Sequence, residues 1–270
     1  MRGINSWGPK GCPPLSGRRG RKPRVPVSHL LPALTFHVMN GAGTLSEHFS
    51  HLFAADLADS SWSDRRARLP WDIFADLMQR VLRPRATRRR HRDAFWCGWR
   101  LVALDGTPFS LTNTPQITAT LPKARTRRGR AAFAKITTNV LLELGLHNPL
   151  AAAIGRLGQS EWELAHGLLG QLPARALLLA DRLYGCAAFA AQARVVCERV
   201  GSHFLLRART NLTARVITRL PDGSRIVRVL VRDPSRRMPI AQWLELREIR
   251  VRVGRRGRQP QDLRRCTTAN

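Results

Sequence analysis

The feature that most constrains this chain is a pattern that occurs twice: an apolar run of strand length ends on an aspartate. Leu101-Val102-Ala103-Leu104 leads into Asp105-Gly106-Thr107, and Ala176-Leu177-Leu178-Leu179-Ala180 leads into Asp181-Arg182. A short apolar run bounded by turn residues reads as a buried strand. An isolated carboxylate is costly to bury, so one that follows a core strand belongs at the sheet edge, paired or on a metal. Two such aspartates on one sheet can converge on one divalent ion. Either aspartate alone is equally an ordinary strand-to-turn residue, with Asp105 capping backbone N–H groups and Asp181 opening a helix.

Composition narrows the partners. The 270 residues carry 46 Lys and Arg against 18 Asp and Glu, a net charge of +28. That excess favours a polyanion, most simply nucleic acid, through phosphate neutralisation and counterion release. Arginine dominates, the lysines being only Lys10, Lys22, Lys123 and Lys135, so Arg-rich coding bias is a second source of the charge. The cysteines (Cys12, Cys97, Cys186, Cys197, Cys266) are odd in number and form no C-x-x-C pair. That argues against a zinc site or a disulfide framework and fits a reducing cytoplasm. No apolar run approaches a membrane span.

Along the chain, residues 1–28 hold Gly, Pro, Arg and little else and read as a disordered basic tail. Residues 29–95 read as helical. Leu45, Phe49 and Leu52 lie at helical spacing behind a cap at Thr44 or Ser46, and a second helix follows Pro70. The basic run 83–92 reads either as a DNA backbone contact or as a solvated linker. Residues 108–130 are turn-rich and then basic, which suggests a loop. Two antiparallel strands follow, then a helix announced by Ser160 with Glu163 three residues on, then the Asp181 strand. A helix ending at Gly201 and a further strand complete a region spanning 96–210. From 211 to 270 the texture is alternating β, with Pro221-Asp222-Gly223-Ser224 as a hairpin turn.

The order strand, two strands, helix, strand, helix, strand matches a ribonuclease-H-like α/β plan. It is a mixed sheet with flanking helices in which the first and fourth strands lie side by side and parallel. Asp105 and Asp181 then end neighbouring strands, and two hard oxygen ligands suit Mg²⁺ or Mn²⁺. Trp99 to Thr107 resembles the first-aspartate motif of IS4-type DDE transposases. Leu177 to Tyr184 resembles the second, an Asp-Arg followed closely by an aromatic residue. Leu220 to Ser224 and Arg264 to Thr268 resemble two further landmarks, a β-rich insertion and the strand leaving it.

The resemblance implies metal-dependent DNA cleavage and strand transfer. Asp105 and Asp181 would be the catalytic metal-binding acids, and insertion-sequence ends and target DNA the partners. It also implies a homodimer in full-length members, a bacterial cytoplasmic, nucleoid-associated location and no membrane. Lys123, Arg125, Arg127, Arg128 and Arg130 are the candidate DNA contacts; Arg182 fits either a phosphate or a carboxylate. The family's third acid is a glutamate on a helix beyond the insertion, within a Tyr, Arg, Glu, Lys pattern. No stretch here carries it, and Tyr184 is the one tyrosine. The expectation is therefore a C-terminally truncated fold without the final catalytic helix, inactive or impaired. A non-catalytic basic DNA-binding protein is the alternative.

Overall fold

A computed structural model describes residues 25–121, 123–126, 129–155, 159–232, 239–255 and 258–268. Most of the expected basic tail, and Arg127 and Arg128, lie outside them. The chain falls into two compact units, Met1–Val81 and Leu82–Asn270.

The first unit is helical as the periodicity predicts: α1 (Val27–Met39), α2 (Leu45–Phe53), α3 (Asp59–Ala67) and α4 (Trp71–Val81). Thr44, not Ser46, caps α2, and it closes a capping box with Glu47. Leu30, Ala33, Phe49 and Trp62 form its small core. Helix α3 is the element that sequence reasoning passed over. Its run Asp59-Ser60-Ser61-Trp62-Ser63-Asp64-Arg65-Arg66-Ala67 carries a single large apolar residue, and the packing of Trp62 against Phe49 holds it.

The second unit is built on one sheet. In chain order its elements are β1 (Phe95–Trp96), β2 (Trp99–Ser110), α5 (Pro115–Thr120), β3 (Arg125–Thr126), β4 (Gly129–Arg130), β5 (Lys135–Glu143), β6 (Asn148–Ile154), α6 (Glu161–Leu169), β7 (Ala176–Ala180), α7 (Ala187–Val200), β8 (His203–Arg207), β9 (Ala214–Arg219), β10 (Arg225–Arg232), β11 (Pro239–Arg255) and β12 (Arg258–Thr267). The sheet order is β6-β5-β2-β7-β8-β12-β11-β10-β9, with β1 paired to β2. Its first five members are the third, second, first, fourth and fifth strands of the ribonuclease-H-like plan. β2 runs parallel to β7, and β7 to β8; β5 and β6 are antiparallel.

Helix α6 packs on β5 and β6, and α7 on β8 and β10. Val102, Leu104, Leu178, Phe189 and Phe204 are buried at their junction. The β-rich C-terminal part is no appendage, because β12 pairs with β8 and the sheet continues into two hairpins.

Residues 108–130 are more ordered than the loop their composition suggested. β2 runs on to Ser110, Thr114 caps α5 with Pro115 in its first turn, and β3 and β4 form a small antiparallel ribbon. The stretch after α4 is tied down as well. The buried Glu143 carboxylate accepts the backbone N–H groups of Arg85 and Ala86 and pairs with Arg100.

Candidate functional site

The site begins with register. In the parallel β2–β7 ladder Ala103 lies opposite Leu179 and Leu104 opposite Ala180. Asp105 follows within β2 and Asp181 lies just past the end of β7, so both come directly after the last paired rung. Residues two apart on a strand share a face, so Asp105 continues the face of Ala103. Adjacent strand backbones lie about 4.8 Å apart. Burial stops at this rung: Leu104 is 2% and Ala180 9% exposed, while Asp105 and Asp181 are both exposed.

Each carboxylate uses one oxygen locally. Asp105 Oδ1 accepts the Gly106 N–H at 2.9 Å, and Asp181 Oδ1 accepts the Leu183 N–H at 2.7 Å. No ion pair neutralises either one among the described residues.

The turn carrying Asp181 is clamped. Arg209 donates through Nε to the Arg182 carbonyl, through its guanidinium to the Leu183 carbonyl, and through its backbone N–H to the Gly185 carbonyl. Gly185 sits so close to the end of β8 that an added Cβ would lie 1.9 Å from the Arg207 carbonyl oxygen. Only glycine fits there.

Behind β2 lies a buried polar cluster. Asn139 pairs with Gly106 across the β2–β5 ladder and is fully buried. Its Nδ2 donates to the Tyr184 hydroxyl and to the Glu161 carbonyl, both at 3.0 Å. The Tyr184 hydroxyl donates to Glu161 Oε1 at 2.6 Å. Burial raises the Tyr184 pKa, and the hydrogen bond to Glu161 raises it further, with a smaller push from the Asp105 charge. The phenol thus stays a donor. The Glu161 carboxylate lies against Gly106; a Cβ there would come 2.3 Å from its Cδ. Asn139 Oδ1 is buried without a hydrogen-bond partner.

Of the candidate DNA contacts, Arg125, Arg130 and Arg182 are exposed and Lys123 is half-buried. Of the two roles the sequence left open for Arg182, a phosphate or a carboxylate, no carboxylate pairs with it among the described residues. The β3–β4 ribbon grows from the far end of the β2–β5 hairpin. That hairpin runs past the last β2–β7 rung at Leu104 to the Ser110–Lys135 pair. The basic ribbon is therefore at the same end of the sheet as the two aspartates.

The donor set fits a hard divalent cation. Two exposed carboxylates on adjacent strand ends suit Mg²⁺ or Mn²⁺, with water completing the shell. Among the described residues no three His, Cys, Asp or Glu side chains group closely enough to hold a metal ion.

No family model matches the chain. Two curated proteins of Escherichia coli (strain K12) do. Transposase InsG for insertion sequence element IS4 is 27% identical over 142 residues, covering 53% of this chain and 32% of that protein. Putative transposase InsZ is 29% identical over 164 residues, covering 60% and 53% respectively. The chain is thus similar to curated transposases, one of them that of insertion sequence element IS4. The matched stretches amount to between a third and about half of those relatives' length.

Two solved structures are also similar. One is the piggyBac transposase synaptic complex with hairpin DNA, at TM-score 0.43 and 10% identity over 99% of this chain and 56% of that one. The other is the Mos1 transposase paired-end complex with left transposon end, at TM-score 0.27 and 14% identity over 70% and 61%. No helix of the described residues is long and apolar enough to cross a membrane.

Sequence reasoning singled out both aspartates and Tyr184 but passed over Glu161, Asn139, Gly185 and Arg209, which surround them. The signal available for Glu161 was its place directly after the capping Ser160. A glutamate in a helix's first turn is common enough that nothing set it apart.

Proposed function

We propose that this chain is a transposase of an insertion sequence and that Asp105 and Asp181 are its catalytic, metal-binding acids. One observation supports the reading: the parallel β2–β7 pairing ends at Leu104 and Ala180, and the next residue after each is an exposed aspartate with no ion pair among the described residues. In a protein with 46 basic residues, carboxylates left without a cationic neighbour are the natural seat of an external cation.

When bound there, Mg²⁺ or Mn²⁺ would activate a water or a 3′-hydroxyl and stabilise the leaving oxygen of a phosphodiester. The chain's own contribution is positional. The β2–β7 pairing brings the ends of the two strands side by side, and the Arg209 clamp holds the Asp181 turn. Arg125 and Arg130 on the ribbon, together with Arg182, contact DNA phosphates, with Lys123 beside them.

The Tyr, Arg, Glu, Lys pattern that supplies the family's third acid occurs nowhere in these 270 residues. We therefore propose weak or no strand transfer by them alone, since an acid fewer weakens cation binding and transition-state stabilisation. The charge supports a second reading, plain DNA binding without catalysis.

One set of measurements separates the two. Mn²⁺ binding, followed as loss of the free-ion paramagnetic resonance signal, falls at least tenfold in the Asp105→Asn/Asp181→Asn double variant, while DNA affinity holds. DNA affinity of the parent chain falls steeply with salt. Unchanged Mn²⁺ binding by the double variant refutes the metal site. A flat salt dependence refutes the phosphate contacts.

A further inference from the structure

The basic run 83–92 reads from sequence as a DNA contact or a solvated linker, and its backbone is not that of a slack linker. The Arg83 carbonyl accepts from Asn148 Nδ2 and the Ala86 carbonyl from Arg100, while the Glu143 carboxylate accepts the Arg85 and Ala86 N–H groups. A turn follows, in which the Arg90 and His91 N–H groups donate to the Thr87 carbonyl. Arg83, Arg85, Arg88, Arg89, Arg90 and Arg92 are exposed on this fixed frame.

Beside the turn lies a cleft of about 230 Å³ whose lining includes Arg88, Arg100 and Arg175. Two of the guanidiniums share one ring: Arg100 Cζ lies 5.0 Å and Arg88 Cζ 6.0 Å from the Phe95 centroid. Arg175 Cζ lies 5.6 Å from the Trp99 centroid. Arg88 also donates to the Gly98 carbonyl in the β1–β2 turn. Glu143 pairs with Arg100, and its other contacts are the Arg85 and Ala86 N–H groups and Asn148 Nδ2. No carboxylate pairs with Arg88 or Arg175 among the described residues. An arginine without an acid partner is ordinary in a chain this basic. What sets these apart is that three guanidiniums line one concave site and are held there on aromatic rings.

The backbone at Arg175 adds to this. Its φ is 54°, in the left-handed region that favours glycine. Its carbonyl accepts the Arg100 N–H at 2.9 Å, and its own N–H donates to the Val200 carbonyl.

We infer that this cleft is a second seat for the DNA backbone, taking a phosphate between its guanidiniums with the 83–92 arginines as its rim. It lies at the opposite end of the β2–β7 ladder from Asp105 and Asp181. Arg100 pairs with Ala176 on the first rung, and the five residues from there to Asp105 span about 16 Å of strand. Guanidiniums fork onto phosphate oxygens, and a fixed rim of positive charge suits a ligand that repeats its phosphates. The inference rests on the reading above that the chain binds DNA, and not on its metal site.

The test follows affinity of the whole 270-residue chain for short duplex DNA across a salt series. Arg88→Ala/Arg175→Gly removes two guanidiniums from the cleft. Arg215→Ala/Arg219→Ala removes the same charge from exposed positions of β9, at the edge of the sheet. The cleft variant is expected to bind about fivefold more weakly, with a log-affinity against log-salt slope flatter by about 1, while the β9 variant stays near the parent. Equal losses in the two variants, or parent affinity in the cleft variant, overturn the inference. So does a cleft variant that keeps the duplex and loses only inorganic phosphate, because the seat then takes a free anion. A flat salt response of the parent chain removes the DNA-binding reading itself, before any variant is compared.

Should Arg88→Ala unfold the protein, Arg175→Gly alone decides. Glycine relieves the left-handed backbone, so the thermal midpoint is expected at or above the parent's while duplex affinity falls about threefold. A lowered midpoint with parent affinity makes Arg175 a purely structural residue and overturns the inference.

Discussion

Replacing Gly185 by alanine tests whether the Asp181 turn is held by backbone contact. The new methyl carbon would lie 1.9 Å from the Arg207 carbonyl oxygen, 2.8 Å from its carbon and 2.9 Å from Ala208 Cα. The first separation is about 1.5 Å short of the 3.4 Å at which ordinary contact begins. All three atoms are main chain, so no rotamer change relieves the clash. Either β8 or the turn must move. Moving the turn strains the bond from the Arg209 N–H to the Gly185 carbonyl, 3.0 Å long.

Overpacking of this kind costs about 1–3 kcal/mol, and a lost hydrogen bond adds about 1 kcal/mol. With no flexible neighbour the upper part of that range applies, about 3 kcal/mol in all. For a unit of this size each kcal/mol lowers the thermal midpoint by about 2–4 °C, so the expected drop is about 6–12 °C. Mn²⁺ binding should weaken as well, because the displaced turn carries Asp181.

Gly167→Ala is the control. It lies in α6 with nothing within 4 Å of the added Cβ, and removing helical glycine stabilises by about 0.5–1 kcal/mol. Differential scanning fluorimetry reads both variants. A Gly185→Ala protein with the parent midpoint and parent Mn²⁺ affinity would refute the clamp.

Three further outcomes follow from the charges and thiols of this unit. Burial pushes the Glu248 carboxyl up, but Arg264, Arg250 and Arg225 outweigh it and hold it below the usual range. Hydrogen bonds from Ser224 and Arg247 bring Asp222 down to about 2. A carboxyl depressed on folding adds stability above its unfolded pKa and loses it as pH falls through the folded one. Urea midpoints should therefore be level near neutrality and decline from about pH 4 towards about pH 2. Glu248→Gln leaves the two largely buried arginines, Arg225 and Arg264, without their counter-charge at a site 1% exposed and should cost about 3 kcal/mol near neutral pH, with a shallower acid decline. A midpoint equal to the parent would contradict this. Among the thiols, burial raises Cys197 to about 12 and Cys266 to about 11, while Cys97 is exposed. Iodoacetamide at neutral pH should alkylate Cys97 well before either, as peptide mass mapping will show.

Much of the site's frame could be read without coordinates, for a reason visible in particular residues. Asp105 and Asp181 each end an apolar run, and a run of that kind forms a buried strand whatever surrounds it. Thr44 with Glu47, Ser160 with Glu163, Gly201 and Asp222-Gly223 are local signals as well, since each satisfies or shapes backbone within four residues of itself. The polar residues 108–130 misled, because composition argues for a loop while Thr114 and Pro115 start a helix and β2 carries on to Ser110.

The sequence by itself determined the two aspartate-ended strands, the caps and the basic charge, all set by interactions between near neighbours or by simple counting. Tertiary structure alone decided that Leu104 and Ala180 share a rung, that Gly106 makes space for Glu161, and that Gly185 meets Arg207. It also decided that β12 continues the sheet beside β8. These contacts join residues from 22 to 76 positions apart, and no periodicity encodes which surface a folded strand or helix will meet. Packing selects those partners by shape, after the local elements have formed.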